Sequence, residues 1–396
     1  MRNRWIFVFA ACSLAVAHAQ TSGRPTFAQQ TFAQPAVSHR IDLPGDAPVS
    51  LAGDQWGASA AVMRGGAYQI DVRVSLSLRN ISHQRIRGIT LAVAAGGPSQ
   101  DAVPGGRGSI SVPSLDAGPG DTFTVRGDLH LLRPIGAGSG PMVEVSLDGI
   151  LFDDLTFYGP DRLRSRRSMM VWELEARRDR RYFKALLDQS GGSGPEALRD
   201  AMLASIARDG NRPRASVQSA PGGATNFDAE REVKFAFLNF PGAPLEPMDG
   251  LARVSGNEAR SPRLVVRNKS NRPVRYFELG WIVRDGQGRE FLAASLSSDL
   301  RLLPRSSAQI VPEATLRFDP QTSIDGMTAF VSQVEFADGT LWIPSREELD
   351  DPTLRRLTAP SPEEQRLVQI YSKRGLNALI SELKKNESKK EESKKF

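Results

Sequence analysis

In the stretch Tyr68–Leu78 an apolar side chain stands at every second position: Tyr68, Ile70, Val72, Val74, Leu76 and Leu78. Strict period two rules out an amphipathic helix, on which these side chains would point all round the axis. It calls for a strand with one buried and one wet face. Asn80-Ile81-Ser82 ends the strand, because Asn and Ser bond their own backbone in turns. Ile89, Leu91 and Val93 then resume the alternation. Further short strands are predicted around Ile110 and Val112 and over Phe123–Leu131. Asp148-Gly149, between Val143/Val145/Leu147 and Ile150/Phe152, is predicted to be a hairpin turn.

The same phrase returns later in the chain. Arg79, Asn80, Ser82, Ile86, Arg87, Ile89 and Leu91 match Arg267, Asn268, Ser270, Val274, Arg275, Phe277 and Leu279 at a constant offset of 188 residues. A second Asp-Gly, Asp338-Gly339 in "VEFADGTLW", is set against "VEVSLDGILF". The expectation is a mainly β chain with two tandem immunoglobulin-like β-sandwiches, a domain duplication, joined by a helical connector and followed by a C-terminal helix. The alternative is two unrelated sandwiches that share turn chemistry. The Arg residues of the phrase are expected at strand edges or on wet faces. Its Asn-x-Ser triplets are read as turns rather than glycosylation acceptors.

The segments "VVRNKSNRPVRYFELGWIVRDGQGREF" and "LRLLPRSSAQI" resemble the immunoglobulin-like domains of bacterial envelope proteins of the FxLYD and CARDB kind. There, a strand ends at an Asn-x-Ser turn, the next leads to an Asp-x-x-Gly turn, and a Pro-containing turn precedes another strand. The resemblance covers Pro262–Ile310 and, more loosely, Leu76–Val125. The family's Tyr-Asp pair is missing, Val283-Arg284-Asp285 standing there. The resemblance implies a β-sandwich used for adhesion, assembly or spacing outside the cytoplasm, and it brings no catalytic residues.

Residues 1–19 read as a signal peptide, with Arg2 and Arg4, an apolar run Trp5–Ala17 and the small-x-small site Ala17-His18-Ala19. A lipoprotein signal at Cys12 is the lesser alternative. The expected product is exported, periplasmic or secreted, without a transmembrane segment. Cys12 is the one cysteine, so the mature chain has no disulfide or thiolate ligand.

Residues 20–50, with the repeated "TFAQ", are expected to be a flexible tether, 51–160 the first sandwich and 161–210 the helical connector. Within the connector Met169, Trp172, Ala176, Phe183 and Leu187 share a face, and a second helix runs from Pro195 with Leu198, Met202 and Ile206 as its apolar face. A linker is expected over 211–230, the second sandwich over 231–348, a C-terminal helical segment over 349–385 and a disordered Lys-rich tail over 386–396. Ser361-Pro362-Glu363-Glu364 reads as a capping box, and Gly375 as a break between two helices.

The net charge is +6, and +4 once Arg2 and Arg4 are removed. It is concentrated in Asp161–Lys184, with nine Lys or Arg against four Asp or Glu. A surplus this small and local does not call for nucleic acid. It reads as a solvated helix face or, alternatively, as a peripheral contact with an anionic surface.

Chemistry-bearing patterns are sparse. His39, His83 and His130 are scattered and lack metal-ligand spacing. "GAGSG" (136–140) sits between predicted strands, with no helix to hold a phosphate. Asp153-Asp154, Glu347-Glu348 and Asp350-Asp351 are sequence neighbours, which on a strand point to opposite faces. No catalytic, cofactor-binding or metal-binding residue is expected and no ligand residue is singled out. The expected function is a non-enzymatic binding or assembly module of the cell envelope, its partner another envelope protein. Alternatives are a carbohydrate-binding or hydrolytic protein, with Trp281 and Trp342 expected to be buried in the frame, and a protein attached to anionic surfaces through Arg162–Lys184.

Overall fold

The computed structural model describes residues 37–96, 105–135, 140–188, 193–211, 218–220, 230–311, 315–318 and 323–392. The expected signal peptide with Cys12, residues 20–36 of the expected tether, most of "GAGSG" and the last residues of the tail lie outside them.

The fold is mainly β. The first unit contains β1 (His39–Asp42), β2 (Val49–Gln55), β3 (Ala60–Arg64), β4 (Ala67–Asn80), β5 (Ile86–Ala94), β6 (Arg107–Val112), β7 (Thr122–Pro134), β8 (Val143–Phe152) and β9 (Phe157–Tyr158). Helices α1 (Ser165–Leu187) and α2 (Gly194–Asn211) follow. The second unit contains β10 (Gln218–Ala220), β11 (Arg231–Lys234), β12 (Ala236–Phe237), β13 (Leu245–Ser255), β14 (Glu258–Asn268), β15 (Val274–Asp285), β16 (Glu290–Ser298), β17 (Ser307–Ile310), β18 (Thr315–Arg317), β19 (Ile324–Phe336) and β20 (Leu341–Trp342). A 3-10 turn (Glu348–Asp350), α3 (Pro352–Leu357), α4 (Pro362–Arg374) and α5 (Leu376–Glu392) close the chain.

The alternation in Tyr68–Leu78 becomes β4. Ile70, Val72, Val74, Leu76 and Leu78 are buried in one core with Ile89, Leu91, Val93, Val145 and Ile150 from the facing sheet. Each such side chain contributes roughly 1.5–3 kcal/mol through burial. One sheet runs β1-β8-β5-β6 with β9 on β8; in the other, β4 carries β2 and β3 on one edge and β7 on the other. The second unit repeats this plan with β12-β19-β15-β16 and β20 on β19, facing a sheet centred on β14. β1 lies parallel to β8, and β12 lies parallel to β19.

The two units agree down to their irregularities. Ile86 faces Phe152 and Gly88 faces Leu151, so Arg87 bulges; Thr90 faces Gly149 and Leu91 faces Leu147, so Asp148 bulges from the partner strand. In the second unit Val274 faces Phe336 and Tyr276 faces Glu335, bulging Arg275, while Glu278 faces Gln333 and Leu279 faces Val331, bulging Ser332. Paired positions are offset by 188 residues on one strand, as from Asn80 to Asn268, and by 184 on the other, as from Phe152 to Phe336.

The Asn turns also agree. Asn80 Nδ2 donates to the Gln84 and Ala117 carbonyls at 2.8 and 3.0 Å, and its Oδ1 accepts from Ser82 N and Oγ at 3.0 and 2.7 Å. Asn268 Nδ2 donates to the Arg272 carbonyl at 2.8 Å, and its Oδ1 accepts from Ser270 N and Oγ at 2.9 and 2.7 Å. Both Asn side chains are fully buried, so their amides replace water for backbone groups that would otherwise be orphaned.

Several expectations are corrected. Asp148-Gly149 is not a hairpin but the mid-strand bulge of β8. Gly149 answers to a close approach, since a Cβ there would lie 2.1 Å from Phe157 Cζ. The turn comes later, where Phe152 N donates to Thr156 O, and its counterpart is Asp338-Gly339, where Phe336 N donates to Thr340 O. Gly339 has φ +82°, and Leu155 holds the same left-handed place at +68°. The Arg residues of the phrase also divide: Arg79 and Arg267 are exposed, whereas Arg87 is buried. Part of the expected tether forms β1, part of the expected linker forms β10, and α5 carries the expected tail as helix to Glu392. Among the described residues no helix is long and apolar enough to cross a membrane.

Candidate functional site

The start of α1 is held by the first unit. Arg164 precedes the helix in a left-handed conformation without capping it. Asp161 Oδ1 instead accepts from Arg166 N at 2.9 Å, and the bulged Asp148 accepts from Leu163 N at 3.1 Å. Asp161 thereby satisfies a donor that a helix start leaves open, and Asp148 holds the chain just before it. Met169 and Met170 then pack on Leu151, with Phe157 and Leu341 beside them. Since Ile150 belongs to the inner core, its neighbour Leu151 faces outward, toward the helix.

Farther along, the charges of α1 meet partners from distant segments. Arg167 Nε donates to Glu335 at 2.6 Å, and the guanidinium lies 3.4 Å from the Tyr276 ring centroid. Arg87 reaches Asp153 at 2.6 Å and Glu173 at 3.9 Å. Asp179 accepts from Arg178 at 3.0 Å, Arg346 at 3.4 Å and Ser361 Oγ at 2.6 Å. Arg180 donates to Glu363 at 2.7 Å. Glu364 accepts from Arg208 of α2 at 2.6 Å and from Arg346 at 3.0 Å. Asp179, Glu363 and Glu364 are buried. Burial alone would raise the Glu363 carboxyl; the hydrogen bonds from Arg366 and Arg180 outweigh it and hold the group down at about 2. These arginines therefore do not form the solvated face expected of 162–184.

The helices close around a further apolar cluster of Phe183, Leu198, Met202, Leu367, Leu379 and Leu383, so connector and C-terminal segment form one body. Ser361 caps α4 as expected, accepting from Glu364 N at 3.0 Å. The reciprocal half of the box is absent, because Glu364 is engaged by Arg208 and Arg346. Gly375, at φ +80°, separates α4 from α5 as expected.

Between α1, the outer face of the β15–β19 sheet and residues 344–364 lies a cavity of about 310 Å³. Val171, Leu292 and Phe330 give it apolar walls, and Glu175, Glu278 and Ser332 contribute polar groups. A second cavity of about 510 Å³ adjoins it, with Arg208, Arg346 and Glu364 lining both. Burial, against the opposing charge of Arg178, pushes the Glu175 carboxyl up to about 7. Ser332 Oγ is buried without a hydrogen-bond partner.

The residues singled out by sequence fall elsewhere. His39 bonds Asp54 at 3.1 Å and stacks on Trp56, His130 bonds Asp71 at 2.7 Å, and His83 is exposed in the Asn80 turn. Asp153 pairs with Arg87, Asp154 accepts from Thr156 N, Glu348 accepts from Gly242 N, Asp350 pairs with Arg355, and Asp351 caps α3. None of these carboxylates lines the cavity except Asp350. Among the described residues no group of three or more potential metal ligands comes together. Trp281 is fully buried, while Trp342 is only partly so. Glu175 and Ser332 escaped the sequence reading: the first sits in a charged run, and the second is revealed only by the bulge of β19.

No family model matches this chain, and no curated protein does. Among solved structures it is similar to a β-glucosidase from Kluyveromyces marxianus at 8% identity, over 67% of this chain and 45% of the enzyme, with a TM-score of 0.15. A likeness this loose carries no argument.

Proposed function

We propose that this chain is an exported, non-enzymatic binding or assembly module of the cell envelope, made of two copies of one immunoglobulin-like sandwich. In this reading the copies are fixed at a set angle by α1, and another envelope protein docks on the body they form. The observation that carries it is the double anchoring of α1, by Met169 and Met170 on Leu151 and by Arg167 on Glu335 and Tyr276. A connector fixed at both units suits a rigid spacer better than two domains that move freely. The shared bulges and Asn turns support duplication, since unrelated sandwiches have no reason to bulge at matching positions. The internal pairing of α1 arginines favours assembly over attachment to an anionic surface through Arg162–Lys184.

The test is expression of the full chain in a bacterial host, followed by fractionation and cross-linking in intact cells. The expected outcome is a processed product in the envelope or periplasmic fraction, cross-linked to a specific envelope protein. An unprocessed product in the cytoplasmic fraction overturns the export reading, and export without a specific cross-link overturns the assembly reading.

A further inference from the structure

The cavity beside α1 brings together two acceptors that the fold leaves unused. Among the described residues, Glu175 has no hydrogen bond and no ion pair, and Ser332 Oγ is buried without a partner. Buried polar groups are nearly always satisfied, so the orphaned Ser332 hydroxyl on the sheet wall, with the half-buried Glu175 on the helix wall of the same cavity, marks a place where something else completes the bonding. The bulges of the two units differ in what they face. In the first unit the equivalent bulge presents Asp148, whose Oδ1 accepts from Leu163 N while its Oδ2 is buried without a partner. In the second unit the bulge presents a hydroxyl to an open space.

The cations around the cavity are already matched. Arg178 is held by Asp179, Arg346 by Asp179 and Glu364, Arg355 by Asp350, and Arg208 Nη2 by Glu364. Glu278 accepts from Tyr276 OH at 2.5 Å. Arg208 Nε is the unpartnered donor in this group. The carboxyl facing the cavity from α1 without an ion pair or hydrogen bond is that of Glu175, and the apolar walls of Phe330, Leu292 and Val171 suit a short hydrocarbon stem.

We propose that this cavity binds a small organic cation, an ammonium or guanidinium group on a short aliphatic stem, with Glu175 as counter-charge, Ser332 Oγ as second acceptor and Phe330 and Leu292 against the stem. The proposal is independent of the envelope reading. The volume of about 310 Å³ is at the lower end for ligand sites and fits a molecule of this size. Without a ligand Glu175 is mostly protonated below about pH 7, so an arriving cation must there displace that proton. Binding therefore strengthens as pH rises through 7 and releases a proton to the buffer.

The experiment is calorimetric titration of the full chain with n-butylammonium and n-butylguanidinium, and with 1-butanol and butyrate as neutral and anionic counterparts. The expected result is saturable binding of the cations at millimolar concentration, roughly thirtyfold tighter at pH 8 than at pH 5.5, with a heat that varies with buffer ionisation enthalpy. Glu175→Gln, a near-isostere of the protonated acid, should weaken cation binding about tenfold at pH 8 and flatten its pH dependence. Ser332→Ala should weaken it about threefold. Circular dichroism of each variant checks that the fold is retained. Butyrate or butanol binding as tightly as the cations, cation binding unchanged in Glu175→Gln, or no saturation by either cation overturns the proposal. An acetyl-Gly-Lys-Gly-amide peptide that binds more tightly than butylammonium assigns the cation to a protein side chain, and one that binds more weakly assigns it to a free small molecule.

Discussion

Leu151 on β8 and Glu335 on β19 hold the same place in their sheets, and both turn toward α1. The first meets Met169 and Met170; the second accepts from Arg167. One helix is thus held by equivalent positions of both units, through apolar packing on one side and a buried ion pair on the other. Removing one member of a buried pair leaves a charge uncompensated, whereas replacing both by apolar groups is often neutral. Arg167→Met alone should cost about 2–4 kcal/mol. Combined with Glu335→Leu, the loss should shrink to within about 1 kcal/mol, although Arg275 then loses a partner. Urea denaturation of the two single variants and the double variant measures the difference.

The Asn turns predict matched sensitivities. Asn80→Ala leaves the Gln84 and Ala117 carbonyls without their side-chain donor, and Asn268→Ala does the same to the Arg272, Leu302 and Leu303 carbonyls. Each should cost about 2–4 kcal/mol, with Ser82→Ala and Ser270→Ala nearer 1 kcal/mol. Denaturant midpoints compared at constant slope test this. Unequal losses would mean that one turn matters more to its core than the shared geometry implies.

Glu363 makes the helical body sensitive to acid. Its folded-state carboxyl is depressed from 4.5 to about 2, so its stabilisation is complete above about 4.5 and disappears as pH falls toward 2. The amount at stake is about 3 kcal/mol. Glu363→Gln should lower stability at pH 7 and remove most of the change between pH 5 and 2, as followed by helical ellipticity in urea.

Glu175 has the opposite sign. Its carboxyl is raised from 4.5 to about 7, so the folded state is favoured while the group stays protonated. That advantage is complete below about 4.5 and is lost as pH rises to about 7. Glu175→Gln should match the parent chain at pH 4.5 and exceed it by about 3 kcal/mol at pH 8. Thermal melts across this range, without added ligand, check the sign.

The parts of this fold that local rules govern could be read from sequence. Period two in Tyr68–Leu78 placed five side chains of the first core, Asn80 and Asn268 marked the turns, and Ser361 and Gly375 marked helix limits. What escaped depends on distant partners. Asp148-Gly149 has the chemistry of a hairpin, but neighbouring strands and the Phe157 ring make it a bulge. The arginines of α1 look solvated until residues 335–366 are folded against them. The cavity was hidden for the same reason: Glu175 resembles any surface glutamate in a charged run, and no sequence period announces Ser332.

The pairing of Arg180 with Glu363 spans 183 residues. During synthesis, the first unit has all its strands once Tyr158 has emerged, while α1 must wait for the far end of the chain before its buried charges are neutralised. Translation thus delivers one finished half early and leaves its lever arm unclamped until Glu363 has been made, so a chain stalled after β19 would display unpaired arginines to any protease or chaperone nearby.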